Sequence, residues 1–188
     1  MKKYEFTGET KRVELWNRTA TLHRIKATVE FGFVKVGELG GWIEKEENLS
    51  HEGKAWVCGD AEVWGNAKVC GDAEVWGNAK VCGDAEVCGD AEVWGNAKVW
   101  GNAKVCGDAE VFLASHVLVM GSVGSRNDFT TFFRDKDNEI TVKCGCFLGK
   151  IDKFLEKVTQ THGNNKYALV YRAAVEVAKL QIELTERK

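Results

Sequence analysis

The chain has no proline at all among its 188 residues, yet it carries 20 glycines. An ordinary loop-rich globular chain uses both, so this imbalance points to a repeat that consumes glycine. No apolar run approaches the roughly eighteen residues needed to span a bilayer, which excludes a transmembrane helix. Met1-Lys2-Lys3 leads into polar Tyr4-Glu5, a start without a secretory core, and cytoplasmic location is the expectation. On that expectation the seven cysteines are free thiols rather than a disulfide framework. The formal charge of −2 excludes a chain that is basic overall. The length is enough to bury a core in one or two small domains.

What is present is a strict period of six. Valine recurs at every sixth position from Val57 to Val123, with a small residue two places earlier: alanine from Ala55 to Ala109, then Ser115 and Gly121. Nine units close on Gly-Asp or Gly-Asn, from Gly59-Asp60 to Gly107-Asp108. In Ala-x-Val-x, alternation puts Ala and Val on one face and Glu/Lys and Cys/Trp on the other, a half-buried strand of about four residues. Gly-Asp and Gly-Asn supply the turns, because Gly is free in φ and Asp/Asn bond locally to backbone. One such unit cannot bury its apolar face alone, whereas units stacked into coils can. Proline is excluded because nearly every strand N–H is needed for the ladder between coils.

The period, with its aliphatic residue and the small residue two before it, resembles the hexapeptide-repeat family. The resemblance implies a left-handed parallel β-helix with eighteen residues per coil, a handedness that periodicity alone does not give. Four complete coils are expected to start at Val57, Val75, Val93 and Val111. Ile43 and Leu49 are also six apart and suggest an earlier coil, with extra residues near His51–Gly53. The stretch from Val34 to Val57, through Gly40-Gly41-Trp42-Ile43 and Asn48-Leu49-Ser50, resembles the entry to hexapeptide-repeat proteins of phages and prophages.

The expected architecture is therefore mainly β in three parts: an N-terminal β cap (1–38), the hexapeptide-repeat β-helix (39–125) and a C-terminal ββαα module (126–188). Alternation around Asn17-Arg18 suggests a hairpin in the cap. Phe129–Arg134 and Glu139–Cys144 flank a turn at Asp135–Asn138. Ile151, Phe154, Leu155 and Val158 have helical spacing, with Gly163 as a stop. Asn164 or Asn165 can cap a second helix to about Glu183, with Tyr167, Val170, Tyr171, Ala174, Val177 and Ala178 on one stripe.

Counting by eighteen stacks the outward residues into columns. One holds Cys58, Trp76, Trp94 and Phe112, a second Trp64, Cys82, Trp100 and Leu118, and a third Cys70, Cys88 and Cys106. At a rung spacing of about 4.8 Å, the aromatic members can form ladders. Exposed Trp in quantity marks a contact surface, so Trp64, Trp76, Trp94, Trp100 and Phe112 are the candidate binding residues. The resemblance makes a homotrimer face the bland assignment, and a host protein or small molecule the sharper one. Thiolates in a row do not offer zinc its tetrahedron, and Cys144-Gly145-Cys146 with His162 reads as core before metal site. Asp72, Asp90 and Asp108 serve as turn residues, while Glu74, Glu92 and Glu110 repel one another at rung spacing.

Residues 30–111 carry seven Lys against sixteen Asp/Glu, between two basic ends. The acidic rod lacks the phosphate geometry of duplex DNA, and no aromatic-basic interleaving predicts nucleic-acid binding. The resemblance raises acyl transfer from a CoA or carrier-protein donor, which in that family uses a general-base His at a subunit interface. Of His23, His51, His116 and His162, only His116 falls in the regular coils, at an outward position, and no long excursion walls a pocket there. The expectation is a non-enzymatic binding or scaffold protein without cofactor or metal, an accessory factor of phage or prophage type. Acyltransferase is the alternative.

Overall fold

The computed structural model describes residues 2–15 and 18–184, so the expected turn residue Asn17 lies outside the described residues. Its centre is a β-solenoid of about four turns built from parallel sheets. A hairpin, β1 (Tyr4–Glu14) and β2 (Thr19–Ala27), leads into β3 (Leu39–Ile43). Ten two-residue strands follow at six-residue intervals: β4 (Trp56–Val57), β5 (Glu62–Val63), β6 (Lys68–Val69), β7 (Glu74–Val75), β8 (Lys80–Val81), β9 (Glu86–Val87), β10 (Glu92–Val93), β11 (Lys98–Val99), β12 (Lys104–Val105) and β13 (Glu110–Val111). Pairing joins residues one coil apart, as in Val57 with Val75 and Val69 with Val87. The result is three faces, β4-β7-β10-β13, β6-β9-β12 and β5-β8-β11.

Two features of the repeat explain this regularity. Every repeat Ala from 55 to 109 and every Val from 57 to 111 is buried, so the interior is a narrow column of methyl and isopropyl groups. Each rung also donates to the next: Trp56 N to Ala73 O (2.9 Å), Cys58 N to Val75 O (2.9 Å) and Asp60 N to Gly77 O (3.0 Å). Glycine answers two demands at the tightest stacked corners. Gly89 has φ +72, and a Cβ there would sit 2.8 Å from the Gly107 nitrogen of the next coil. The turn needs a left-handed residue, and the stacked turns leave no room for a side chain.

The earlier coil suggested by Ile43 and Leu49 is present in an offset register. Ile43 pairs with Val63 and Leu49 with Val69, twenty residues apart rather than eighteen. Two additional residues between Leu49 and Ala55 take up the difference. The hairpin extends one face antiparallel, giving the order β1-β2-β3-β5-β8-β11. Tyr4, Ile25, Ala27 and Val34 from this N-terminal region join the solenoid core.

The C-terminal end departs from the expectation. The parallel ladder stops at Val111, and Val117–Val123 forms one continuous strand, β14, rather than further rungs. After Phe112 the chain reads Leu113-Ala114-Ser115-His116 and has no Gly-Asp or Gly-Asn corner, so a short 3-10 turn (Ala114–His116) redirects it. β14 pairs antiparallel with β15 (Asp128–Arg134), which continues to β16 (Ile140–Cys144) and β17 (Phe147–Lys150). The module thus has four strands, not two, packed against α1 (Ile151–His162) and α2 (Lys166–Gln181). Gly163 terminates α1, and the Asn165 side chain caps α2 by accepting from Tyr167 N and Ala168 N.

This module closes the solenoid. Phe133 belongs to the solenoid core, Thr131 Oγ1 accepts from Lys104 N (2.9 Å), and Lys136 N donates to Asp108 O (3.0 Å). The buried Arg134 guanidinium bonds the Glu110 carboxylate (3.0 Å), the Glu110 carbonyl (3.1 Å) and Asn138 Oδ1 (2.9 Å). It also lies over the Phe112 ring at 5.0 Å. In α2 the buried stripe is Ala168, Tyr171, Ala174, Val175 and Ala178. Val170 and Val177, expected on it, face outward instead. The helix is apolar on two sides, and spacing alone could not choose between them.

The corner glycines give a graded test. Gly89→Ala meets both the left-handed backbone and the next coil, and should lower unfolding free energy by roughly 1–3 kcal/mol. Gly101 has φ +66, but nothing lies within 4 Å of the place a Cβ would take. Gly101→Ala should therefore cost only the backbone share, about 1 kcal/mol. Urea unfolding that finds the two variants equal would show that coil contact is not the second constraint.

Candidate functional site

The outward columns differ in how much surface they offer. Trp76 and Trp94 stack with ring centroids 5.8 Å apart and planes 1° from parallel, and Trp94 stacks on Phe112 at 4.6 Å. His116 closes the column with its ring edge against Phe112 at 4.3 Å. The ring faces are consumed within the column, leaving half-buried edges, so these three residues act first as a spine along one corner. Trp64 does not belong to an exposed surface: it is buried with Ala20 and Leu22 beneath the N-terminal hairpin. Trp100 is 69% exposed, beside the last strand of its face. Leu118 does not continue that column, because it lies in β14. The five candidate residues are thus split into a spine, a buried anchor and one exposed indole.

The polar columns are mostly reconciled by pairing. Buried Glu62 sits between Lys11 (2.8 Å) and Lys80 (3.1 Å). Lys104 approaches Glu86 at 3.7 Å, and Lys54 holds Asp72 at 3.2 Å. On the remaining face Glu92 pairs directly with both Glu74 and Glu110. Burial, and then the Glu92 charge, raises the Glu74 carboxyl above its ordinary range. All seven thiols are free. Burial pushes Cys58 up to about 11 and also raises Cys70 and Cys82. No group of three or more His, Cys, Asp or Glu side chains converges as metal ligands among the described residues.

The histidines are placed in structural contacts. His116, expected to point outward, is fully buried, with Nδ1 accepting from Phe112 N at 3.4 Å and Nε2 without a hydrogen-bond partner among the described residues. Burial first, then the Arg134 charge, lowers its pKa to about 4. It cannot touch a substrate from there, as a general base must. His51 stacks on Tyr4 and accepts from Lys3 N (3.1 Å), and His23 stacks on Phe6.

A concavity lies in the C-terminal module, a cavity of about 430 Å³ between the sheet and the helices. β14 contributes Val123, the following loop Arg126, β16 and its turn Cys144 and Cys146, β17 Phe147, α1 Phe154, Lys157 and His162, and α2 Tyr171. Cys144 and Cys146 do not share a strand face: Cys144 ends β16, half-buried, while Cys146 is exposed in the turn. Thr130 Oγ1 donates to Cys144 Sγ at 3.3 Å, and the Tyr171 hydroxyl lies 3.9 Å from the same sulfur. Burial, with Cys144 beside it, pushes the Tyr171 phenol up to about 12, so it stays neutral. Sequence reasoning named His162, Cys144 and Cys146 but not Arg126, Lys157 or Phe147 as site residues. Its only hint of them was the basic balance of the chain's end. No protein-family model matches the chain, and no curated protein compared with it matches either.

His116 gives the solenoid's end a pH response. Its folded pKa of about 4 lies below the ordinary 6.5, so the unfolded chain binds the proton more readily between those values. Its contribution is fully present above pH 6.5 and is lost as pH falls toward 4. His116→Gln keeps an acceptor but removes the titration. The urea midpoint should drop less between pH 7 and pH 4.5 in the variant than in the native chain, and parallel pH profiles would refute the assignment.

Proposed function

We propose that this is a non-enzymatic binding protein in which a rigid solenoid carries a module that sequesters a small molecule. The observation that supports the reading is the 430 Å³ cavity of the C-terminal module, which falls in the size range of small-ligand sites and combines apolar walls with a few polar groups. The three-faced coil with an eighteen-residue register supports assigning the solenoid to the hexapeptide-repeat type, and that likeness implies a left-handed coil. The phage-type origin rests on the residues from Val34 to Val57 alone. Acyl transfer finds less support, because His116 is enclosed in the turn past the last rung, and His51 is held against Tyr4 and Lys3 N.

Native mass spectrometry of the purified protein, followed by denaturing extraction, tests this reading. A stoichiometric small molecule should be released, and Cys146→Trp, which fills the cavity mouth from an exposed turn, should purify without it. Folded protein that never carries or takes up any small molecule would defeat the proposal.

Self-association is a second component of the reading, and the outer face of α2 supports it better than the Trp columns do. Val170, Ala173, Val177 and Leu180 follow the three-four spacing of a helix-pairing seam, and Leu180 is 89% exposed. Such a seam is filled by a helix of matching spacing, which a second copy supplies, and the family likeness implies three copies. Sedimentation should find an oligomer for the native chain and a monomer for Val177→Lys with Leu180→Glu. A native monomer at micromolar concentration would remove this component.

A further inference from the structure

We infer that the cavity of the C-terminal module selects a small aromatic anion: a carboxylate or phosphate on a compact ring body. This rests on the proposal that the cavity is a ligand site and adds the chemistry of what enters it. The walls include Phe147, Phe154 and Tyr171, with Phe154 5.4 Å from each of the other two rings and set at an angle to them. His162 stacks on Tyr171 with ring centroids 5.9 Å apart. An aromatic body can meet such walls by edge and face contacts.

The polar lining supplies the sign. Arg126 and Lys157 both line the cavity, and neither has an ion-pair or hydrogen-bond partner among the described residues. Most other cations that approach the sheets do have one, such as Lys150 on Asp135 and Arg134 on Glu110. A single carboxylate, Asp128, lines the same cavity, and it already accepts from Phe129 N. The Arg126 guanidinium is folded over the turn at Gly145, where a Cβ would lie 3.2 Å from Nη1. Gly145 has φ +55, so glycine both makes the turn and leaves the guanidinium its place at the rim. A guanidinium and an ammonium beside aromatic walls favour an anionic head, since Arg offers a planar donor fork and Lys a point charge.

Isothermal titration of the full chain at low salt, with naphthoate, naphthol and naphthylmethylammonium as probes, tests the inference. Naphthoate should bind roughly ten- to a hundredfold more tightly than naphthol, as expected for charge-assisted hydrogen bonds, and the cation should bind most weakly. Arg126→Gln with Lys157→Gln should erase the preference for naphthoate while leaving naphthol unchanged. Cys146→Trp should weaken both, which places the probes in the cavity. Equal affinity for naphthoate and naphthol, or a preference that survives the double variant, overturns the anion assignment while leaving the cavity as a ligand site. Failure of all three probes to bind overturns the ligand site itself.

Discussion

Every other part of this protein depends on the hydrogen-bond ladder that ties each rung to the one eighteen residues later. Backbone donors along each coil, such as Trp56, Cys58 and Asp60, meet carbonyls of the next, so the coils stand at the fixed spacing of neighbouring strands. That spacing dictates the composition. Ala and Val fill the narrow interior of the regular coils, Gly makes the stacked corners, and Pro fits nowhere a rung must donate. It also turns single outward residues into columns, so that a tryptophan at one position becomes a stack with its neighbours and a glutamate becomes a row of like charges.

A ladder of this kind has two ends, and each must be closed by something that is not a rung. At the start, the hairpin joins one face antiparallel and buries Trp64, while Tyr4 bonds the Leu49 carbonyl at 2.8 Å. At the finish, β15 lies across the last coil, with Phe133 in the core and Arg134 gripping Glu110. Arg134 and His116 are therefore coupled: the cation that anchors the module also discourages protonation of the histidine that receives Phe112 N–H. The buried polar groups at this end are the seam between two architectures, which explains why His116, in the turn that leaves the coils, is enclosed rather than presented.

The parts legible in the sequence are those whose role is set within six residues. Ala and Val face inward because of their own alternation, and each corner is written in its Gly-Asp or Gly-Asn pair. The caps of α1 and α2, Gly163 and Asn165, are equally local. Val117 and Val123 keep the period yet leave the solenoid, because the deciding feature is a missing corner after Phe112 and a waiting partner in β15. Val170 and Val177 sit on the outer side of a helix that is apolar on both sides, so the choice of face belongs to the sheet beneath it. Trp64 looks like an exposed rung until a hairpin from forty residues earlier covers it.

The cavity was invisible for the same reason carried further. Its walls come from β14, a loop, β16, β17 and both helices, and no two adjacent sequence positions announce that they converge. The repeats, by contrast, are loud in sequence but commit many of their side chains to one another: Trp76 to Trp94 and Phe112, Lys80 to Glu62, Lys104 to Glu86, Cys58 to burial. What a residue spends on holding its neighbour is no longer available to a ligand. Repetition thus marks the scaffold, and the irregular end of the chain holds Arg126 and Lys157, which line the cavity and have no ion-pair or hydrogen-bond partner among the described residues. A site is better sought where the structure stops satisfying itself than where the sequence is most conspicuous.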